Sequence, residues 1–478
     1  MRDRIIPFAA KFLLFSGIFL LLSSLGFAAV EGGHHGLDGA HLNLFWVIPF
    51  AGILLSIAIF PLVAPDFWHH NFGKVSLFWG VSILIPMLLV EGFSVTLYEA
   101  LHVYLLEYIP FIVLLLALFT VAGGVRVTGH LTGSPVVNTT ILLIGTLLAS
   151  WMGTTGAAML LIRPLLRANA WRKYQVHNVV FFIFLVANIG GSLTPLGDPP
   201  LFLGFLQGVG FFWTTTHLIY EMLFVSAILL VVYYIVDTVL YNKEPEKPEP
   251  LPGAGKIGLE GSFNLLLLIG VIGAVLFSGF VHLSEFTVFG VHVALQNVVR
   301  DVALLALTWI SWTYTSKESR AANGFTWFPI QEVGKLFAGI FITIVPAIAI
   351  LKAGREGALG FIIDLVTNSA GDPNDAMYFW ITGLLSSFLD NAPTYLVFFN
   401  TAGGNAETLM TTMSSTLVAI SIGAVFMGAN TYIGNAPNFM VKSIAESSGV
   451  TMPSFFGYMA WSFGILAPIF LLVTLIFL

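Results

Sequence analysis

The chain contains the stretch Gly197-Asp198-Pro199-Pro200-Leu201-Phe202 inside a long apolar run, and its pattern recurs as Gly434-Asn435-Ala436-Pro437-Asn438-Phe439. These two stretches are 237 residues apart. A second pair has the same offset, since Leu147-Leu148-Ala149-Ser150-Trp151-Met152-Gly153-Thr154-Thr155-Gly156 corresponds to Leu384-Leu385-Ser386-Ser387-Phe388-Leu389-Asp390-Asn391-Ala392-Pro393. Because two separate matches share one offset, we interpret the chain as an internal duplication.

The composition places both halves in a membrane. Hydrophobic residues make up 57% of the 478 residues and charged residues only 9%, whereas globular chains carry roughly 25% charged residues. The 43 Phe residues fit lipid-facing helices better than a β-barrel, whose strands would alternate polar and apolar residues. Cysteine is absent, which excludes disulfides and iron–sulfur clusters, and no basic run indicates nucleic acid. We therefore predict an all-α polytopic membrane protein.

Apolar runs long enough to cross roughly 30 Å of hydrocarbon recur along the chain and predict about 11 transmembrane segments. Two further apolar stretches, 137–167 and 376–400, are interrupted by small, polar or proline residues. The predicted spans lie near 5–29, 45–65, 75–97, 101–122, 177–206, 216–241, 262–283, 297–315, 332–352, 412–440 and 453–478.

These segments group into six regions. The first, 1–29, is either a signal peptide or a first transmembrane helix, because basic residues precede an apolar stretch and small residues. The others are N-terminal transmembrane segments at 30–100, a first repeat at 101–241, a charged, proline-rich linker at 242–261, connecting transmembrane segments at 262–331 and a second repeat at 332–478.

The basic residues predict the topology, because cytoplasmic loops are rich in Lys and Arg. If the loop 163–173 is cytoplasmic, only Arg300, Lys352 and Arg355 fall on the other side, while Lys11 lies within the first segment. The loop 163–173 carries four basic residues, whereas its counterpart 400–410 carries none. We therefore expect inverted repeats in a cell inner membrane, with a cytoplasmic N-terminus (unless cleaved) and an external C-terminus.

Each repeat contains two interrupted elements. Stretches 137–167 and 376–400 predict re-entrant hairpins with tips at Gly153–Gly156 and Asp390–Pro393. Stretches 177–206 and 412–440 predict helices that unwind at Ser192–Pro200 and Asn430–Pro437. Inverted repeats with matching broken helices are typical of secondary transporters with a site at the membrane midplane. Irregular backbone at this depth must be buried or line a cavity, so the four breaks are expected to converge.

Two carboxylates, Asp198 and Asp390, lie at these breaks. A carboxylate inside the membrane indicates function by default, and oxygen ligands suit Na⁺. A buried carboxylate that titrates near neutral pH can hold a proton or a metal ion but not both, which is sufficient for antiport. The predicted site therefore has Asp198 and Asp390 as Na⁺ ligands, joined by amides and hydroxyls of Asn391, Asn435, Asn430, Thr431, Thr194, Thr154 and Thr155.

The plainer alternative is that either Asp only caps a half-helix or binds neighbouring backbone N–H groups. Other ionisable groups receive no functional role from the sequence. Glu91 is a relay or a buried hydrogen-bonded residue, and Arg300 with Asp301 marks a helix start. The residues Glu221, Asp237 and His177 lie near predicted helix ends.

At these motifs the chain resembles the NhaD-type sodium/proton antiporters of the ion transporter superfamily, which also includes arsenite pumps and citrate and dicarboxylate transporters. The resemblance covers about residues 100–478 and rests on the tracts 387–394, 428–438 and 191–200. It implies two inverted repeats, each with a hairpin and a broken helix, a homodimer, and a site that includes Thr394 of the first tract. In the first hairpin, Gly153-Thr154-Thr155-Gly156 replaces the asparagine-containing tip of many relatives.

The leading interpretation is exchange of Na⁺, or Li⁺, for H⁺ by alternating access, with no cofactor besides the transported ions and with the lipid bilayer as partner. The alternative is cation-coupled transport of citrate, a dicarboxylate or another anion. Half-helix N-termini attract carboxylates, but no Lys or Arg lies at the breaks. A membrane aspartyl protease is disfavoured, because Pro195-Leu196-Gly197 precedes Asp198 where such enzymes have Gly-x-Gly. We therefore expect a transporter and not an enzyme.

Overall fold

The computed structural model describes residues 36–129, 131–245, 247 and 257–478. The proposed signal peptide or first helix at 1–29 and most of the linker lie outside the described residues. Within them the chain is mostly helical, and nine helices are long and apolar enough to cross a membrane. This architecture is that of a multi-pass membrane protein. These nine candidate spans are Leu44–Val63, Pro65–Val90, Gly92–Ala122, Pro135–Met152, Val176–Leu193, Trp213–Asn242, Phe263–Phe280, Phe328–Lys352 and Phe455–Phe477.

Several predicted spans differ from these helices for physical reasons. The expected segments 75–97 and 101–122 are replaced by helices that meet at Glu91 and Gly92, where Gly92 has a φ of 83°. The second of these helices therefore runs across the predicted repeat boundary at residue 101. The span 297–315 exists as helix Leu295–Tyr314, but Arg300 and Asp301 lower its hydropathy and it is not among the nine. The span 412–440 is interrupted after Met427.

The interrupted elements occur where the sequence predicts them. Hairpin 1 consists of Pro135–Met152 and Thr154–Ala168, joined at Gly153, and hairpin 2 of Asp375–Phe388 and Asn391–Thr401. Broken helix 1 consists of Val176–Leu185, a 3₁₀ turn at Ile189–Leu193 and Pro199–Leu206. Broken helix 2 consists of Ser414–Met427, a 3₁₀ turn at Gly428–Asn430 and Ala436–Ser447. Both halves therefore have the same order of elements.

The helices pack in two groups. In the site bundle, the hairpins and broken helices share one hydrophobic core with helices Trp213–Asn242 and Phe455–Phe477. In the outer bundle, helices Ile48–Val63, Pro65–Val90, Gly92–Ala122, Phe263–Phe280, Leu295–Tyr314 and Phe328–Lys352 share a second core. Residues Leu196, Phe202, Ala392 and Leu396 of the site bundle also pack into this second core. Short connections complete the fold: Lys317–Ala322, Gly360–Val366 and Ala406–Met410 are helical, and strands Arg126–Thr128 with Gly258–Glu260 and Glu285–Val288 with Val291–Ala294 pair antiparallel.

Broken helix 1 lies at the centre of the molecule. Most of its apolar window is buried inside the protein (89%), whereas the corresponding fraction for Pro65–Val90 is only 22%. Protein rather than lipid therefore surrounds the irregular backbone, as hydrogen-bonding groups at membrane depth require.

Candidate ion-binding site

In each broken helix the unwound segment folds back on itself, so that two glycines lie in close contact. A Cβ added at Gly197 would lie 2.0 Å from the carbonyl oxygen of Gly191, and one added at Gly434 would lie 2.6 Å from that of Gly428. Only a residue without a side chain allows the backbone to fold back so tightly. The following half-helix then begins with prolines in the first half and with Ala436-Pro437 in the second. Proline is suited to a first helical turn because its missing N–H would have no partner there.

Equivalent hydrogen bonds fasten each break to the hairpin of its own half. The Thr194 hydroxyl donates to the carbonyl oxygen of Ser150, and the Thr431 hydroxyl donates to that of Ser387. The two serine hydroxyls also correspond: Ser150 donates to the Gly190 carbonyl at 2.5 Å and Ser387 to the Met427 carbonyl at 3.0 Å. Thr194 and Thr431, predicted as ion ligands, therefore position the breaks.

The Asp198 carboxylate lies where the two halves meet. It is buried, and its Oδ1 accepts from the Thr154 hydroxyl at 3.0 Å and the Asn435 amide at 2.9 Å. Its Oδ2 accepts from the Asn391 amide at 2.5 Å. Although Asp198 occupies the N-cap position of Pro199–Leu206, its side chain makes no capping hydrogen bond. The capping alternative therefore does not describe Asp198, because both halves direct side-chain donors at it.

Asp390 has a different environment. Its Oδ1 accepts from the backbone N–H of Ala392 at 3.1 Å, so its side chain caps the second arm of hairpin 2. The Thr394 hydroxyl donates to the Asp390 carbonyl oxygen at 2.9 Å, which leaves Thr394 occupied within the same turn. Asp390 is only partly buried, but it is near enough to Asp198 for their charges to repel. The structure thus places Asp390 beside the central carboxylate and not in hydrogen-bonding contact with it.

Two buried amide oxygens, one on Asn391 beside Asp198 and one on Asn430 in the second break, have no hydrogen-bond partner among the described residues. Asn391 must direct its NH₂ group at Asp198, because an ionised carboxylate only accepts, and its own Oδ1 is unpartnered. Asn430 donates its NH₂ group to the Ser387 hydroxyl at 2.9 Å, and its Oδ1 is also unpartnered. Buried polar atoms without a partner are rare and call for an explanation such as an ion or a water.

A cavity of about 80 Å³ opens beside Asp198. Thr154, Thr155 and Asp198 are its hydroxyl and carboxylate groups, and most of the remaining lining is apolar. The space is sufficient for a few waters or a partly hydrated ion, since one water needs roughly 10–15 Å³ of such volume. The lining comes from both halves and from the outer bundle, because it includes Ala436, Pro437 and Pro329.

Two asparagines that the sequence interpretation left out of the site form its second layer. Asn188 donates to the Asn438 side chain at 2.7 Å and accepts from Asn435 at 3.2 Å. Asn438 in turn donates to the carbonyl oxygens of Gly428 and Thr431. Asn188 therefore positions the Asn435 amide, which donates to Asp198. Its own place in the sequence, directly after the apolar run 176–187, is the signal that could have identified it.

Asp237 and His177, which the sequence places near helix ends without a functional role, belong to a buried structural cluster. Both are buried, and His177 Nε2 lies 2.7 Å from Asp237 Oδ1. Arg172 forms an ion pair with Asp237 at 2.6 Å, with both side chains fully buried. Asn138 of hairpin 1 also donates to Asp237, at 3.0 Å. This cluster, which we call the hairpin 1 anchor, ties the open end of hairpin 1 to helix Trp213–Asn242.

Comparison with known proteins agrees with the membrane-helical architecture. No curated protein matches the chain. A family model described as "Putative citrate transport" matches residues 39–478, which is nearly the whole chain. The chain therefore belongs to this family of membrane transporters.

Proposed function

We propose that the protein exchanges Na⁺, or Li⁺, for H⁺ at a site centred on Asp198. The observation that carries this proposal is a buried carboxylate that accepts three side-chain hydrogen bonds from two halves, one of them from Asn391, whose own amide oxygen has no partner among the described residues. A carboxylate has roughly four lone-pair positions, so one remains for a cation or a proton. The oxygens of Asn391 and Asn430 supply the kind of ligand that hard cations prefer.

Mutually exclusive occupancy couples the two ions. When Asp198 is ionised, its negative charge binds the cation, and when it is protonated, the electrostatic attraction for the cation is lost. The amide donors from Asn435 and Asn391 stabilise the ionised form, which keeps the carboxylate competent to bind a cation after its proton leaves. Asp390 adds a second negative charge nearby. It is proposed to attract the cation, although it forms no hydrogen bond with Asp198.

The equivalent breaks support the part of this proposal that concerns two repeats. We infer that the halves are inverted repeats, with 101–241 and 332–478 as their main parts, and that the chain is an NhaD-like member of the superfamily in an inner membrane as a homodimer. Helices Gly92–Ala122 and Phe328–Lys352 begin at nearly matching positions of the two halves, which supports this pairing. In this proposal the site bundle moves against the outer bundle, with the N-terminus cytoplasmic.

A second candidate is cation-coupled transport of citrate or another organic anion, and the family description is the observation that favours it. The N-termini of the half-helices at the breaks attract an anion. However, no Lys or Arg lies in the unwound segments 186–198 and 428–435, and Asp198 repels an anion. The geometry therefore supports the cation as the bound species, with an anion only as a partner of that cation.

Proteoliposomes that contain a pH-sensitive dye test both candidates. Addition of Na⁺ to the outside of wild-type vesicles is expected to drive proton flux, whereas addition of citrate alone is not. Asp198→Asn should abolish the flux, and Asp364→Asn, which changes an exposed carboxylate, is the matched control. Uptake of radiolabelled citrate is measured in the same vesicles. If this uptake requires Na⁺ and no Na⁺-driven proton flux occurs, the exchange proposal is wrong and the second candidate is correct.

A further inference from the structure

Glu107 is a buried carboxylate in the middle of a membrane helix, outside the site described above. It lies on helix Gly92–Ala122 of the outer bundle and is only 8% exposed. Among the residues that the structure describes, its Oε2 has no hydrogen-bond partner. Ionisable groups within membrane segments are costly and mark ion or proton pathways by default. The proposed exchange at Asp198 does not use Glu107, so the presence of this carboxylate needs a different explanation.

The backbone around Glu107 departs from α-helical geometry. Residues Tyr104–Tyr108 form a π-helical turn, in which the N–H of Ile109 donates to the carbonyl of Tyr104. Two tyrosine hydroxyls fix this turn to helix Phe328–Lys352, since Tyr104 donates to Ala338 O at 2.8 Å and Tyr108 to Gly334 O at 2.9 Å. Single π-turns are frequent at functional sites. The wider turn places Glu107 on the side of the helix that faces broken helix 1.

Its hydrogen-bond partner belongs to the element that carries Asp198. The Gln207 side chain, at the end of Pro199–Leu206, donates to Glu107 Oε1 at 3.2 Å. The charged groups near enough to act on Glu107 electrostatically are Glu99 of the same helix and Lys352 at the end of Phe328–Lys352. His102, between Glu99 and Glu107 in sequence, also interacts with Glu99 and Lys352. The titratable groups near Glu107 therefore include the half-buried Glu99 and the exposed Lys352, which lie closer to the protein surface.

We propose that Glu107 is a second proton-binding site, separate from Asp198, whose protonation is transmitted through Gln207 to the end of broken helix 1. This proposal rests on the exchange proposed above. The step is a simple proton transfer, in which the carboxylate takes a proton from water and becomes a neutral acid. Protonation of the unpartnered Oε2 leaves Oε1 as an acceptor for the Gln207 NH₂ group, but it removes the negative charge that strengthens this hydrogen bond. Protonation therefore weakens the link between the two bundles.

Proton release on Na⁺ binding tests the proposal directly. Na⁺ is added to the purified full-length protein in weakly buffered detergent, and the released protons and bound Na⁺ are both counted. Glu107→Gln is expected to lose part of the proton release while Na⁺ still binds. Glu221→Gln is the matched control, because Glu221 is also a buried membrane carboxylate with an unpartnered Oε2, but it lies on helix Trp213–Asn242. It is expected to release as many protons as the wild type.

A second variant guards against a folding defect in the first. Gln207→Met keeps the carboxylate but removes the amide, so proton release should persist while the exchange rate in proteoliposomes falls at least roughly tenfold, a usual size for the coupling between two sites. Equal proton release by wild type and Glu107→Gln overturns the Glu107 site and leaves the exchange intact. If the wild type releases no protons at all, the proposed exchange itself is wrong.

Discussion

The two broken helices have the same backbone pattern and different chemistry. At equivalent positions the first carries Asp198 and the second Asn435, and these two side chains bond to each other at 2.9 Å. Thr154 and Asn391 are also equivalent, and both donate to Asp198. The duplicated scaffold therefore supplies two matched sets of donors, and one Asp in place of Asn turns their meeting point into a charged site.

The open ends of the hairpins differ even more. The hairpin 1 anchor buries Arg172, His177 and Asp237, whereas the equivalent residues in the second half are Leu409, Ser414 and Thr474. Hairpin 2 is held near its start by a hydrogen bond from Thr416 to Asp375 at 2.6 Å, and Thr474 accepts from Trp380 at 3.0 Å. A buried ion pair therefore anchors one hairpin, whereas hydrogen bonds from a hydroxyl and an indole, together with apolar packing, hold the other.

Replacing Arg172 of the hairpin 1 anchor by leucine, the residue at the equivalent position of the second half, should have the largest effect on stability. Arg172→Leu removes the guanidinium partner of the buried Asp237, although His177 and Asn138 still contact that carboxylate. Removing one partner of a buried pair costs about 3–5 kcal/mol. Thermal unfolding of the purified protein in detergent measures the loss. Arg355→Leu is the control, since its pair with Asp364 is largely exposed and should change stability little. Equal melting temperatures for the two variants would show that the anchor contributes no stability.

Making the two breaks chemically identical should be the next largest change. Asp198→Asn places the same amide in both halves and removes the only charge that the donors surround. We expect Na⁺-driven proton flux to fall at least about 100-fold, which corresponds to about 3 kcal/mol, while the protein stays folded. Flux close to that of the wild type would contradict the central role of Asp198.

An Asp-to-Asn change at Asp390, at the tip of hairpin 2, should lower the transport rate less. Asn can replace Asp as an N-cap, so Asp390→Asn should keep the capping bond to Ala392 and most of the transport rate. Asp390→Ala removes the cap and should lower stability by about 1 kcal/mol. Transport rates and melting temperatures of both variants separate the charge from the cap. A loss of flux in Asp390→Asn as large as in Asp198→Asn would make Asp390 an equal ligand.

The smallest effects are expected where the halves agree. Thr194→Val and Thr431→Val each remove one hydroxyl that fastens a break to its hairpin. Each should lower the free energy of unfolding by about 1 kcal/mol, the usual contribution of one hydrogen bond. The two losses, measured by thermal unfolding, should be similar. A loss confined to one variant would show that the equivalent bonds carry unequal weight.

Much of the fold was accessible from the sequence. The hairpins predicted at 137–167 and 376–400 agree within two residues with the observed 135–168 and 375–401. The site was less accessible, because Asp198 and Asp390 have similar sequence settings and unlike environments. The anchor at Asp237 and the buried Glu107 were also missed, since a residue near a helix end or inside an apolar run does not reveal its partners.

The sequence by itself determined the membrane environment, the matching motifs at one offset and the places where the helices break, because hydropathy, motif spacing and Gly or Pro positions can be read locally. Only the tertiary structure decided which carboxylate became the centre of the site. The donors to Asp198 come from residues 44, 193 and 237 positions away along the chain, and their geometry depends on how the two halves pack. Hydrogen bonding acts over about 3 Å in space, so no local pattern could show that Asp390 caps a helix while Asp198 collects donors from both halves.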